Sequence, residues 1–332
     1  MKLTIYEIAK EAGISASTVS RVINGNERVK KETREKVIEI LNKYNFTPDQ
    51  TARGLASGFS KLVGIAIEDI RNGHHNSIAF DIENKLRENG YFGIIVNTTA
   101  NLNLITECVE GLINRNVEGI VFLGSLYQDS NIMEMLKCKF SKKPILLVNG
   151  EYVADNLWSL IINEFDGVGK CVELLFNQGK KNIAYIQKPT TASGFRKKEG
   201  FIQKMVQLGF KKDELCIINA QPNIEAGFDA TIQAFSIKKN INGIIYSEDL
   251  LAVGGLKALN MLQKSVPNDV AIIGIDDSIY SEITTPRITT LNPCLNILGE
   301  KSANILMDIL KGKTPPKYTI IETNIVIKET TK

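Results

Sequence analysis

Apolar positions in the first 46 residues recur every three or four residues, in three short runs. Thr4-x-x-Glu7 opens the first run as a capping box, in which hydroxyl and carboxylate satisfy each other's free backbone N–H groups. Ile5, Ile8, Ala9 and Ala12 follow at helical spacing, and Gly13 ends the helix with a residue that tolerates positive φ. Ser15 caps a second helix whose inward positions are Val19, Val22 and Ile23. Asn24-Gly25-Asn26 predicts a turn. A third helix is expected from Lys31 to Tyr44, with Val37, Ile38, Leu41 and Tyr44 inward and the chemically poor Lys30 at its cap. Phe46-Thr47-Pro48 breaks the chain, and Asp49 can cap a further short helix over 50–57.

From Leu62 the texture changes to short apolar runs separated by amphipathic stretches. Strands are predicted at Leu62–Ile67, Gly93–Asn97, Gly119–Leu123, Ile145–Asn149, Ser159–Ile162, Ile183–Ile186, Cys216–Asn219, Gly243–Tyr246 and Ala271–Ile275. Helices such as Ile78–Asn89 and Gly167–Gln178 lie between them. Such alternation predicts parallel sheets with right-handed crossovers, and this many strands predicts two lobes.

Charge adds a hint to this picture. Of 40 Lys/Arg and 37 Asp/Glu, ten basic and seven acidic residues fall in 1–60, so the whole formal excess of +3 sits there. A nucleic-acid partner or an ordinary solvated surface both fit that excess. The five cysteines (Cys108, Cys138, Cys171, Cys216, Cys294) are odd in number and widely spaced, which predicts reduced, mostly buried thiols in a cytosol. The opening MKLTIYEIAKEAG lacks an apolar signal core, and no window approaches ~18 uninterrupted apolar residues, so a cytoplasmic protein without a membrane span is expected.

The first two helices have helix-turn-helix spacing. The outward face of the second, Ala16, Ser17, Ser20, Arg21 and Asn24, is small and polar with one guanidinium, which suits a major groove. A small helical bundle that binds nothing has the same spacing.

TIYEIAKEAGISASTVSRVING, KETREKVIEILNKYNFTPD and ARGLAS resemble the DNA-binding headpiece of the lactose-repressor family of bacterial transcription regulators. GIAIEDIRN, GKKNIAYI, AIIGIDDS, TPRITTLNP and IVIKETT continue the resemblance through the body, whose texture is similar to catabolite control proteins. The resemblance implies an all-α headpiece over 1–47 and a hinge helix and linker over 48–60. It further implies a two-lobed α/β body of the periplasmic-binding-protein type, with one lobe over 61–160 and 290–320 and the other over 161–289 and 321–332.

It also implies roles. Ala16 and Ser17 occupy base-reading positions; Thr18 and Ser20, with Thr4, Ser15 and Asn24, contact phosphate or position the helix; and Arg21 reads a base, guanidinium matching guanine's two acceptors. Arg53 lies on the hinge, where Leu55 wedges into the minor groove and makes binding depend on how two subunits are held. Asp49 departs from the usual hinge Asn. Asn72, His74, His75, Asn149, Lys197, Glu248 and Asp276 are placed around an effector between the lobes, with Asp276 receiving ligand hydroxyls. Lys197 replaces the usual Arg and Glu248 a frequent Asn, while Pro222 stands where some sugar-binding members carry an aromatic. Lys197 and the two imidazoles tilt the expectation toward an anionic sugar derivative, with Glu248 as a counterweight.

The implied function is a dimeric repressor of operator DNA controlled by a small sugar-like effector. The alternative is a global catabolite regulator that answers to a phosphorylated carrier protein. No G-x-S-x-G, P-loop, dinucleotide fingerprint or metal motif supports an enzyme, a metal or a cofactor. An exported sugar-binding protein would share the body but not the headpiece.

Overall fold

The computed structural model describes residues 4–23, 28–44, 46, 59–188 and 191–331. The chain divides into two compact units, 1–60 and 61–332. Asn24 and the hinge helix expected over 49–57, with Arg53 and Leu55, lie outside the described residues.

In the first unit α1 spans Ile5–Ala12, α2 Ala16–Ile23 and α3 Lys31–Lys43. Thr4 N–H donates to Glu7 Oε2 at 2.7 Å and Glu7 N–H to Thr4 Oγ1 at 3.4 Å, so the capping box forms in both directions. Gly13 terminates α1 at φ +69°. Ser15 Oγ accepts from Thr18 N–H at 3.2 Å at the start of α2. Ile8, Ala12, Val19, Val22, Val37 and Ile40 form the core. On α3 the inward positions are therefore Val37 and Ile40, while Ile38 and Tyr44 are exposed. One turn of 3.6 residues carries Val37 onto Ile40 and Leu41, and a neighbour at 38 falls about 100° away. Lys43 pairs with Glu11 at 2.8 Å, tying the end of α3 to α1.

In the body, β1 (Leu62–Ile67), β2 (Phe92–Asn97), β3 (Gly119–Leu123), β4 (Ile145–Val148) and β5 (Leu157–Ile162) form the first sheet. Its connections are α4 (Gly73–Glu88), α5 (Leu102–Asn114), a short 3-10 turn Ser125–Gln128 and α6 (Ser130–Lys139). The chain then enters the second lobe through α7 (Glu164–Asn177), β6 (Ile183–Gln187), α8 (Ala192–Gln207), β7 (Cys216–Asn219) and α9 (Ile224–Ile237). There follow β8 (Gly243–Tyr246), α10 (Asp249–Met261), β9 (Ala271–Ile275), α11 (Ile279–Ile283) and β10 (Thr289–Asn292). α12 (Leu295–Leu310) returns to pack on α4, through Leu298, Ala303 and Leu306 against Ile78, Ile82 and Leu86. β11 (Tyr318–Ile321) and β12 (Asn324–Val326) close one sheet each.

The strand orders are β11-β5-β4-β3-β1-β2 and β12-β10-β9-β8-β6-β7. Every pairing is parallel except β10 with β12. Three boundaries differ from expectation, one of them by a single residue, since Ile321 of β11 pairs with Ile162 in the first sheet. β5 stays in the first sheet to Ile162, and Thr289–Leu291 pair with Ile273–Ile275, so the chain regains the first lobe only after β10. Two helices begin earlier than their apolar periodicity suggested: α4 at Gly73, capped by Asn72, and α7 at Glu164, capped by Asn163. These extra turns are polar because they face the crevice at the carboxyl ends of both sheets, where such folds bind ligands. Of the cysteines, Cys171 and Cys216 are buried, Cys108 and Cys294 half-buried and Cys138 exposed, so the expectation of mostly buried thiols holds for two.

Candidate functional site

The helix-turn-helix presents Ser17 and Arg21, four residues apart, on the exposed side of α2, while Val19 and Val22 face the core. Ser17 Oγ lies 2.9 Å from Ser15 Oγ, which in turn lies 2.8 Å from Thr18 Oγ1. Thr18 and Ser20 are half-buried flanks. Ala16 is half-buried against the headpiece core, so its methyl serves both packing and surface. Thr4 and Ser15 are spent on helix capping.

The body's polar cluster gathers where strands of both lobes end. His74, in the first turn of α4, places Nδ1 3.8 Å from Asp276 Oδ1 in the loop after β9, so this pair spans the lobes. Burial, with His75 and Lys197 nearby, holds the His74 imidazole well below its usual pKa, so it is neutral at physiological pH. Burial pushes the Asp276 carboxyl well above the carboxylate range; Lys197 opposes this, and Glu248, Asp249 and Glu164 reinforce it.

The Asp276 loop is held in an unusual shape. Asp276 has φ +112° and Asp277 φ +47°, conformations that non-glycine residues occupy only when surroundings enforce them. The buried Asp249 does so from one side, accepting from Ser278 N–H at 2.8 Å, Ser278 Oγ at 2.9 Å and Thr290 Oγ1 at 2.6 Å. Lys328 does so from the other, donating to Asp277 Oδ1 at 3.0 Å and Ser281 Oγ at 2.8 Å.

Lys197, one turn into α8, is buried and donates to the Ser247 carbonyl at 3.2 Å, with Glu164 Oε1 3.8 Å away. Burial disfavours its charge, but Glu164, Asp276 and Glu248 more than offset this and raise its pKa. Gly200 lets α8 approach α7 this closely, because a Cβ there would meet the Phe165 carbonyl at 2.2 Å. Glu164 also accepts from Ser193 Oγ at 2.5 Å and from Asn149 Nδ2 at 3.2 Å. Arg196 binds Glu164 Oε2 at 3.1 Å and Asn149 Oδ1 at 2.8 Å. Asn149, Arg196, Glu164 and Ser193 thus bridge the lobes, joined by Ser193 N–H donating to Ser125 Oγ at 3.1 Å.

The structure brings His74, Asn149, Lys197 and Asp276 together, with Glu248 contributing to their field. Asn72 is instead an exposed helix cap, its Oδ1 accepting from His74 N–H at 2.9 Å. His75 turns against Gly124, where a Cβ would lie 3.0 Å from its Nε2, and its Nδ1 is buried without a partner among the described residues. Burial, with Lys188 opposite, lowers the His75 pKa to about 4. Glu164, Arg196, Ser193 and Asp249 escaped the sequence reading. Glu164 and Asp249 carried a signal, their place just past the carboxyl ends of β5 and β8. Lys197 and Arg196 share Glu164, and burial holds both imidazoles below their usual pKa. Among the described residues no cluster of His, Cys, Asp and Glu is set for a metal, and no helix is long and apolar enough to cross a membrane.

The pattern described as "Bacterial regulatory proteins, lacI family" matches residues 4–49, and "Periplasmic binding protein-like domain" matches 172–331. Catabolite control protein A of Staphylococcus xylosus is 30% identical over 335 residues, covering 98% of this chain and 97% of that one. This chain belongs to the LacI family of bacterial regulatory proteins. An HTH-type transcriptional regulator of Lachnoclostridium phytofermentans is 28% identical over 99% of both chains. The lac repressor dimer bound to operator and the anti-inducer ONPF superposes with a TM-score of 0.88 at 22% identity, covering 100% of this chain and 99% of that one. As a LacI-family protein the chain is a transcription repressor with a DNA-binding headpiece and an effector-binding body; these relatives are regulators, not enzymes.

Proposed function

We propose that this LacI-family repressor binds a near-palindromic operator as a homodimer, and that a hydroxyl-rich, uncharged effector held between its lobes sets operator affinity. The carrying observation is Asp276: a half-buried carboxyl facing a neutral imidazole across the lobe boundary, its pKa raised by desolvation, is favoured as a carboxylate when hydrogen-bond donors meet it. Ligand hydroxyls supply donors, and Asn149 and Lys197 complete a polar rim already balanced in charge. Ser17 and Arg21 read the operator, with Leu55 and Arg53 acting at the hinge.

The test is fluorescence anisotropy on the promoter upstream of the protein's own gene, run with matched neutral and anionic sugars. A neutral sugar should shift operator affinity, and Asp276→Asn should abolish the shift while leaving ligand-free DNA binding intact. A response confined to anionic sugars, or one indifferent to Asp276, refutes this reading. The similarity to catabolite control protein A supports a second reading, in which a phosphorylated carrier protein is corepressor. Operator binding that tightens only with the phosphorylated carrier would favour it.

A further inference from the structure

Ser193 and Arg196 lie on the first two turns of α8, in the second lobe, and both reach the first. Arg196 Nη2 donates to Asn149 Oδ1 at 2.8 Å and to the Asn149 carbonyl at 3.3 Å. The same guanidinium holds Glu164 Oε2, with Nε at 3.2 Å and Nη2 at 3.1 Å. Glu164 Oε1 accepts from Asn149 Nδ2 at 3.2 Å, which closes a ring. Guanidinium, carboxylate and carboxamide are each bonded to the other two, and the ring crosses the lobe boundary twice. Hydrogen bonds to charged groups are the stronger kind, and a buried group left without its partner is costly. Glu164 and Asn149 are both buried, so parting the lobes here carries that cost.

Other contacts near the ring hold the lobes more loosely. His74 Nδ1 and Asp276 Oδ1, 3.8 Å apart, are beyond hydrogen-bond reach. Leu102 and Phe195, which border one space from opposite lobes, remain 41% and 57% exposed, so little apolar surface is buried between them. Lobes joined without a large apolar interface move relative to one another by default.

We propose that Arg196, Glu164 and Asn149 form a latch that holds the two lobes in this arrangement, and that it opens while each lobe stays folded. A ligand that favours another arrangement must break the latch, which therefore sets the differential affinity such a ligand needs.

Ser193 supplies a native reporter. The first amides of a helix have no partner within it. Gly194 N–H is taken by Thr191 Oγ1 at 3.1 Å, inside its own lobe. Ser193 N–H donates instead to Ser125 Oγ of the first lobe at 3.1 Å, so its protection from solvent follows lobe contact. The test is hydrogen exchange of the ligand-free, full-length protein, read at single residues by mass spectrometry with electron-transfer fragmentation. Ser125→Ala removes the acceptor and gives the rate of the freed amide. Arg196→Met should speed Ser193 exchange roughly 10-fold or more toward that rate, while the amides of residues 197–201 keep their protection. Asn149→Gly, a first-lobe change at φ +57°, which glycine accepts, should do the same. A thermal melt confirms folding, and should Arg196→Met not fold, Asn149→Gly decides alone. The proposal is overturned by a Ser193 amide as fast in the unaltered protein as in Ser125→Ala, or by an unchanged Ser193 rate in a folded latch variant. Acceleration spread equally through 197–201 also overturns it, since that marks fraying of α8 rather than parting of the lobes.

Discussion

Replacing Lys197 by Met removes a buried ammonium while keeping most of the side chain's volume. At 3.8 Å from Glu164, with an effective dielectric near 20, the lost attraction is about 4 kcal/mol. Releasing the ammonium from its desolvated position returns part of that. Glu164 keeps Arg196 at 3.1 Å, so the loss should fall below the ~3–5 kcal/mol seen when a buried pair loses its sole partner. A net destabilisation of about 2–3 kcal/mol follows, or roughly 3–5 °C in Tm for a body of this size. The loss depends on pH. Lys197 favours the charged form of Asp276 in the folded state, so removing it pushes an already raised pKa further up. The folded variant then pays more to ionise Asp276, so its deficit should grow only as pH rises above the raised folded pKa of Asp276. Urea unfolding followed by circular dichroism across a pH series measures this. A deficit under ~1 kcal/mol, the same across the series, would show that Lys197 is not electrostatically coupled to these carboxylates.

Three further outcomes are expected. The folded-state pKa of His75, about 4 against a usual 6.5, means that the unfolded chain takes its proton first as pH falls. Its contribution, roughly 3 kcal/mol, should be present above pH 6.5 and lost progressively toward pH 4. His75→Leu should flatten that part of the stability profile, and an unchanged slope in urea titrations would contradict the burial argument. Arg21→Ala should cost about 1–3 kcal/mol of operator binding and relax preference at one base position per half-site; operator selection that returns an unaltered site would place Arg21 elsewhere. Thr4→Ala should cost the start of α1 about 1 kcal/mol, read as faster hydrogen exchange at the Glu7 amide.

Local chemistry, legible in the chain, determined the headpiece: Thr4 and Glu7 cap each other, Gly13 takes positive φ, and Val19 and Val22 follow at helical spacing. Nine strands of the body were legible because each is a dense apolar run, most of them buried along their whole length and only the edge strands β2 and β7 partly exposed. β10 (TTLN) and β12 (NIV) were not, since they carry few apolar residues, nor was β11 (YTII), a largely uncovered edge strand; β10 owes its place to partners in β9 and β12. On α3, Ile38 and Ile40 are equally apolar, and only contact with the other two helices selects Ile40. The lobe-bridging cluster depended most on tertiary structure. Asn149 meets Glu164 and Arg196 across 15 and 47 residues, Lys328 reaches Asp277 across 51, and His74 meets Asp276 where the two lobes come together. A capping residue acts within one turn, so its meaning is carried by its neighbours in the chain. A buried charge takes its pKa, its partners and hence its role from whatever the fold packs around it, and residue spacing holds no record of that.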